Sequence, residues 1–278
     1  MTVKITTLSE NTASRGNLLA EWGLSVLVET GDGSILFDTG QSISVVHNAE
    51  ILNVNLSRIG MIVLSHGHYD HTGGLAEILK KIGHEVDVVA HQDIWQEKYA
   101  RDSDETYRRI GIPFKREELE EMGARFKLTG EPFYVQRHVI TTGEIPMTTE
   151  YEEVEANLLV REGEGFRLDI LADDLGLIID TELGSVVVLG CAHRGLINTL
   201  YHVRKLTHGR PVYAVLGGTH LLNASEYRIE KTTADLKEIG VRKLGVSHCT
   251  GFQATVRLAQ EFGEDFFLNN AGTRITLP

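Results

Sequence analysis

The chain has 278 residues, a formal charge of −12 and two cysteines, enough length to bury a sizeable core without disulfides. The acidic balance argues against a broad nucleic-acid footprint, and no stretch reaches the roughly 20 apolar residues that a bilayer span needs. The N-terminus lacks the order of a secretion signal, so the expectation is a cytoplasmic protein with a small-molecule partner, no nucleic acid and no membrane.

In chain order, SVLVET and SILFDTG flank GDG, a hairpin signal. Residues 42–53 read as a helix. GMIVLSH is continuous, apolar and β-branched, a short buried strand with a histidine where it ends. LAEILKKIG spaces Leu75, Ile78, Leu79 and Ile82 along one helical face, with Gly83 as its stop. EVDVVAH is another strand. Residues 92–135 hold many charges, scattered aromatics and helical pieces such as KREELEEMG. They read as an insertion, a cap over the active site of a single domain spanning 1–278.

HVITTGEI is extended, and GLIIDTELGSVVVLGCAH forms a second hairpin whose last strand delivers His193. Helices are expected at about 195–208, 225–239 and over FQATVRLAQEFG. Between them PVYAVLGGTH and KLGVSHCTG are strands ending at His220 and His248. Four apolar strands therefore each end in a histidine, at 66, 193, 220 and 248. Strand ends on one edge of an α/β sheet are a common place for ligands and catalytic groups.

HGHYDH packs His66, His68, Asp70 and His71 into six positions directly after a buried strand. Alternating histidines on an extended or turning backbone aim two imidazoles at one ion. Asp70 and His71, on the next turn, reach a second. Imidazole with carboxylate suits zinc, manganese or iron. Exposed loop histidines are the plainer alternative, and the buried strand before them argues against it. Cys191 and Cys249 each lie within two residues of a histidine, which fits a metal neighbourhood better than a disulfide.

HGHYDH resembles the His-x-His-x-Asp-His signature of the metallo-β-lactamase superfamily. LFDTG at 36–40 is similar to the strand that sets an aspartate beneath the metal loop there. SHCTG is similar to the late strand that brings the last metal histidine. The resemblance covers nearly the whole chain. GCAHRGLINT, GGTHLLNA and HCTGFQA are similar to one branch. It includes the dihydropterin ribofuranosylaminobenzene phosphate synthase of methanopterin biosynthesis, and most of its members are described only as metal-dependent hydrolases.

The resemblance implies an αββα sandwich with a dinuclear site at one edge of its two sheets. It implies His66, His68 and His193 for one ion and Asp70, His71 and His248 for the other. Asp38 is either a turn cap or the hydrogen-bond partner that fixes a metal-bound imidazole. In the lactamase and glyoxalase pattern a separate histidine comes earlier, and an aspartate or cysteine ends the strand that here reads VVVLGCAH. Cys191 falls at that place, as a small buried residue, a neighbour that tunes the metals, or a ligand. His138 and Asp173 are the other candidates for the remaining ligand. His68 stands where diiron flavoprotein oxygen reductases carry glutamate, which favours Lewis-acid chemistry over redox chemistry.

The expected activity is hydrolysis of a small phosphorylated or ester substrate, anionic in character, by a hydroxide shared between two divalent ions. Zinc is the first choice; manganese, iron or nickel are alternatives. Asp70 would also orient the nucleophile. His220 is either a satisfied strand-end residue or a donor to the leaving group. A synthase variant would displace diphosphate with an organic nucleophile, and a metabolite sensor would keep the metals without turnover. His47, His84, His202 and His208 read as surface residues, and Glu117, Glu118, Glu120 and Glu121 as a solvated helix face. Arg101, Arg108, Arg109, Lys115 and Arg116 either contact an anionic substrate or belong to a charged surface helix. Met147 follows GEIP, where related branch members often carry arginine.

Overall fold

The computed structural model describes residues 2–278. Seven strands form the first sheet, in the order Arg274–Leu277, Val3–Ser9, Ser25–Thr30, Gly33–Phe37, Ile59–Val63, Val86–Ala90 and Ala124–Leu128. Seven more form the second: Phe266–Leu268, Lys243–Ser247, Val212–Gly218, Gly184–Leu189, Gly176–Thr181, Val139–Thr141 and Tyr134–Gln136. Both hairpins expected from sequence pair antiparallel, Ser25–Thr30 with Gly33–Phe37 and Gly176–Thr181 with Gly184–Leu189.

Side chains alternate across each strand. Val26, Val28, Ile35, Phe37, Val63 and Val89 of the first sheet pack against Leu177, Ile179, Val186, Val188 and Leu216 of the second. The opposite faces are also buried. Leu27, Leu36, Ile62 and Val88 lie beneath helices Ser44–Ile51 and Leu75–Ile82. Val187, Val215 and Leu244 lie beneath Leu196–Leu206, Glu226–Ile239 and Phe252–Phe262. Burial on both faces explains why these strands are runs of apolar residues without alternation. The result is the expected αββα sandwich.

The helix Leu75–Ile82 buries Leu75, Ile78, Leu79 and Ile82 and stops at Gly83, whose φ of 71° lets its N–H reach Leu79 O at 3.0 Å. Among the described residues, no helix is long and apolar enough to cross a membrane.

Residues 92–135, which the sequence groups as one insertion, are divided. Ala124–Leu128 pairs with Val86–Ala90 as the edge of the first sheet, and Tyr134–Gln136 joins the second. Arg125 and Lys127 face solvent on that edge, so its charge hides a core strand. Lys98–Arg101 and Tyr107–Arg109 instead meet Leu158–Glu162 and Gly165–Leu168 in a separate four-stranded sheet. That sheet is held by aromatics: Tyr107 stacks on Phe166 at 4.5 Å and 5°, and Arg161 lies over Tyr99 and Phe166 at 5.3 and 5.1 Å.

Candidate metal centre

Four strands end at one edge of the sandwich: Ile59–Val63 before His66, Gly184–Leu189 before Cys191 and His193, Val212–Gly218 before His220, and Lys243–Ser247 before His248. Each chain turns sharply there. Asp38, Ala192, His220 and His248 hold φ of 59°, 58°, 50° and 57°, left-handed values that non-glycine residues seldom adopt. The packing is equally close: a Cβ on Gly190 would sit 2.1 Å from Ser65 Oγ and 3.0 Å from Asp38 Oδ2.

The six candidate ligands fall into the two expected groups, His66 with His68 and His193, and Asp70 with His71 and His248, each with ligand atoms within 4.8 Å of one another. All six are buried. His66 Nε2 lies 3.0 Å from His68 Nδ1 and 3.2 Å from His193 Nε2. His71 Nε2 lies 3.2 Å from His248 Nε2, and Asp70 Oδ2 lies 3.3 Å from His248 Nε2.

In three of the five rings a hydrogen bond on the far side fixes which nitrogen faces inward. Ser65 Oγ donates to Asp38 Oδ2 at 2.7 Å, so it accepts from His66 Nδ1 at 2.8 Å. His71 Nδ1 donates to Asp38 Oδ2 at 2.6 Å, and His248 Nδ1 donates to Asn11 Oδ1 at 3.0 Å. The Nε2 atoms of His66, His71 and His248 are left facing inward as neighbours of other ring nitrogens. His68 Nε2 and His193 Nδ1 are buried without a partner. Facing lone pairs repel unless a cation stands between them, so this donor set fits divalent ions.

Asp38 is thus more than a turn cap: its Oδ1 also accepts Ser65 N–H at 2.7 Å. Asp38→Asn keeps a residue that tolerates positive φ but loses an acceptor; metal affinity is expected to fall by about 10–100-fold. Competition of the variant with a zinc chelator measures this, and wild-type affinity would refute the role.

Sequence reasoning missed several supports. Glu10 Oε1 accepts His248 N–H at 2.7 Å, and Asn11 holds both ends of His248 from the first strand's exit. Lys98, fully buried, donates to Asp169 at 2.7 Å and to Asp173 at 2.9 Å; Asp173 Oδ2 in turn accepts Gly67 N–H of the histidine loop at 2.8 Å. Asp173, a candidate ligand by sequence, is therefore engaged elsewhere. His138 lies 4.0 Å from Asp180 with a half-exposed ring and joins none of the ligand groups. His84 and His208 are exposed as expected, whereas His47 and His202 are half-buried; His202 Nε2 donates to Thr142 O at 3.0 Å.

The cysteines lie among the donors. Cys191 Sγ is 3.1 Å from His71 Nε2 and forms groups with His66 and His71, with His193 and His220, and with His248 and Cys249. Its sulfur therefore lies near donor atoms of both triads. Cys249, placed by sequence in a metal neighbourhood but not among the ligands, accepts the His220 backbone N–H at 3.3 Å.

Burial and neighbouring imidazoles hold His66 and His193 well below the usual histidine range, and burial with Lys98 lowers His68 to about 3. These rings are neutral at pH 7, as ligation requires. Burial opposes protonation of His71 too, but Asp38 and Asp70 outweigh it and push the group up to about 9. A metal at Nε2 would displace that proton. Burial alone would raise Asp70; His71 and His248 outweigh it and hold the carboxyl below its ordinary range.

Asp174 behaves oppositely. Its Oδ2 accepts Arg194 N–H at 2.9 Å, yet burial, with Asp173 adding to it, pushes the carboxyl up to about 7. Between its ordinary value of 3.8 and 7 the folded state holds a proton that the unfolded state has lost, so stability falls as pH rises through that window. Asp174→Asn keeps the acceptor. In the metal-free protein it is expected to gain roughly 2–4 kcal/mol over wild type by neutral pH and little in acid. Urea unfolding across this pH range checks it; a pH-independent difference would contradict it.

The centre opens into a cleft of about 420 Å³ lined by His68, Asp70, His193 and His248 at its floor. Tyr69, Ile110, Leu158, Glu155, Trp22, Leu222 and Asn223 also line it. His220 borders it with its ring 4.1 Å from that of His193 and its Nε2 3.5 Å from Glu155. Burial lowers the His220 imidazole, and Cys249 and Glu155 outweigh it and raise the group. Of the five insertion cations, Arg108 alone reaches the cleft among the described residues. Met147 does not line it and meets Asn198 instead.

An αββα sandwich with two histidine-rich donor groups at one sheet edge defines a class, and comparison agrees: a model of the metallo-beta-lactamase superfamily matches residues 23–193. The chain belongs to that superfamily. It is 35% identical to 7,8-dihydropterin-6-methyl-4-(beta-D-ribofuranosyl)-aminobenzene-5'-phosphate synthase of Methanocaldococcus jannaschii, covering 97% of this chain and 95% of that protein. An uncharacterized protein of the same organism is 33% identical over 91% of this chain and 93% of its own. Among solved structures, Tm1679, a metal-dependent hydrolase of the beta-lactamase superfamily, superposes with a TM-score of 0.85 at 28% identity, covering 98% of both chains.

Proposed function

We propose that the chain is a metal-dependent hydrolase of a small phosphorylated or ester substrate. Two divalent ions, zinc first among them, would be held by His66, His68 and His193 and by Asp70, His71 and His248. The observation that carries this reading is the opening of both triads into one cleft, through His68 and His193 and through Asp70 and His248, with the outward nitrogens of His66, His71 and His248 held by Ser65, Asp38 and Asn11. Such ions supply Lewis-acid charge and lower the pKa of water.

The chain supplies the rest. Asp38 and Asn11 keep His71 and His248 in one tautomer. Cys191, its sulfur near donor atoms of both triads, is a further donor to either ion. Asp70 stands at the cleft floor, where it orients the attacking nucleophile. His220, backed by Glu155, is placed to give a proton to a leaving oxygen. The small sheet containing Tyr107–Arg109, rather than all of 92–135, serves as the cap.

The 35% identity to a synthase across nearly the whole chain favours a second reading, in which an organic nucleophile displaces diphosphate at the same centre. Turnover of a panel of phosphate esters, diphosphates and lactones in ¹⁸O-water separates the two. Label in the product supports hydrolysis. Unlabelled product that forms only with an added organic acceptor supports the synthase. Full metal occupancy with no turnover of any kind would refute both.

A further inference from the structure

Arg108 is the one lysine or arginine lining the cleft among the described residues. Three of the other insertion cations are engaged away from it: Arg109 donates to Ile112 O at 2.8 Å, Arg116 pairs with Glu120 at 2.7 Å, and Arg101 with Glu105 at 3.7 Å. The strand that carries Arg108 is tied to the histidine loop by its backbone. His68 and Gly111 form a β-bridge, and Tyr69 N–H donates to Ile110 O at 2.9 Å. From the other side, Tyr107 is clamped on Phe166. The distance from Arg108 to the metal loop is therefore set by sheet geometry.

The guanidinium lies beside the Tyr69 hydroxyl and pairs loosely with one carboxylate. Its Nε and an Nη each lie 3.4 Å from the Asp102 carboxylate, the outer limit of a hydrogen bond, and the side chain is 53% exposed. Trp22 and Leu222, which also line the cleft, are 45% and 52% exposed and offer no charge. The cleft lining thus combines candidate metal ligands, one cation, the Glu155 carboxylate, the amides of Asn157 and Asn223, and exposed apolar side chains. A planar guanidinium matches phosphate oxygens in pairs, and a phosphate would compete with the long Asp102 contact.

We propose that Arg108 is the specificity-determining residue for a phosphate or diphosphate group on the substrate, whose uncharged body lies against Trp22 and Leu222. The inference rests on the reading above that the substrate is phosphorylated. Calorimetric titration of inorganic pyrophosphate into the metal-loaded protein tests it, with metal content measured in each sample. Arg108→Gln is expected to weaken binding about 10–100-fold at unchanged metal content, and Arg108→Lys to weaken it less. Equal binding by wild type and Arg108→Gln at equal metal content overturns the role of Arg108 and leaves the phosphorylated substrate standing. No binding by fully loaded wild type overturns both.

Discussion

Asp70→Asn is expected to lose one of two bound ions and about 10³-fold in turnover, with the fold unchanged. The carboxylate lies 3.3 Å from His248 Nε2 and 3.7 Å from His71 Nε2, and it lines the cleft floor. The amide is isosteric but carries no charge, so the second ion loses its only carboxylate among the grouped donors. The other group, His66, His68 and His193, contains no Asp70 atom and should keep its ion. Loss of one ion's charge stabilisation is worth several kcal/mol, and about 4 kcal/mol corresponds to 10³ in rate. Circular dichroism, metal content and turnover together read the result. A variant with both ions and wild-type turnover would remove Asp70 from the site.

Lys98→Met is expected to destabilise the protein by about 3–5 kcal/mol, read from the urea midpoint. Lys98 is buried with Asp169 and Asp173, whose side chains are 2% and 1% exposed. Removing the ammonium leaves two carboxylates uncompensated, and one of them holds Gly67 of the histidine loop. Replacing all three together, with Asn at 169 and 173, should recover most of the loss, because the amide still accepts the Gly67 N–H and no buried charge remains. Burial alone would lower the Lys98 pKa; Asp173 and Asp169 outweigh it and raise the group above 10.5. Its stabilisation is therefore complete below that value and is lost only as pH rises through the higher folded-state pKa. In the wild type this contribution should stay constant from pH 6 to 9, roughly the range where the ammonium remains charged in both states. A loss under 1 kcal/mol, the scale of an exposed pair, would mean the cluster is not buried in solution.

The sandwich was legible because its strands are apolar on both faces, and local signals such as Gly83 after Ile82 are decided by neighbours in sequence. The candidate ligands were legible for the same reason, since four of them lie in one six-residue stretch and the others end apolar strands. What stayed hidden depends on distant partners. Asn11 and His248 are 237 positions apart, and nothing in SENTASRG marks an imidazole support. Lys98 looks like any surface lysine until Asp169 and Asp173 close over it. The strand ARFKL was masked by its exposed charges, and LVREGEGFRL by its distance from the strands it joins. Cys191 was ambiguous because spacing does not say whether a sulfur points toward or away from a metal; the fold brings it to 3.1 Å from His71 Nε2.

The most direct measurement is elemental analysis of the purified protein after equilibration with limiting divalent metal, alongside its turnover before and after chelation. About two ions per chain are expected, with turnover lost on chelation and restored by added metal. A chain that holds no divalent ion, or that keeps full turnover after stringent metal removal, would contradict it.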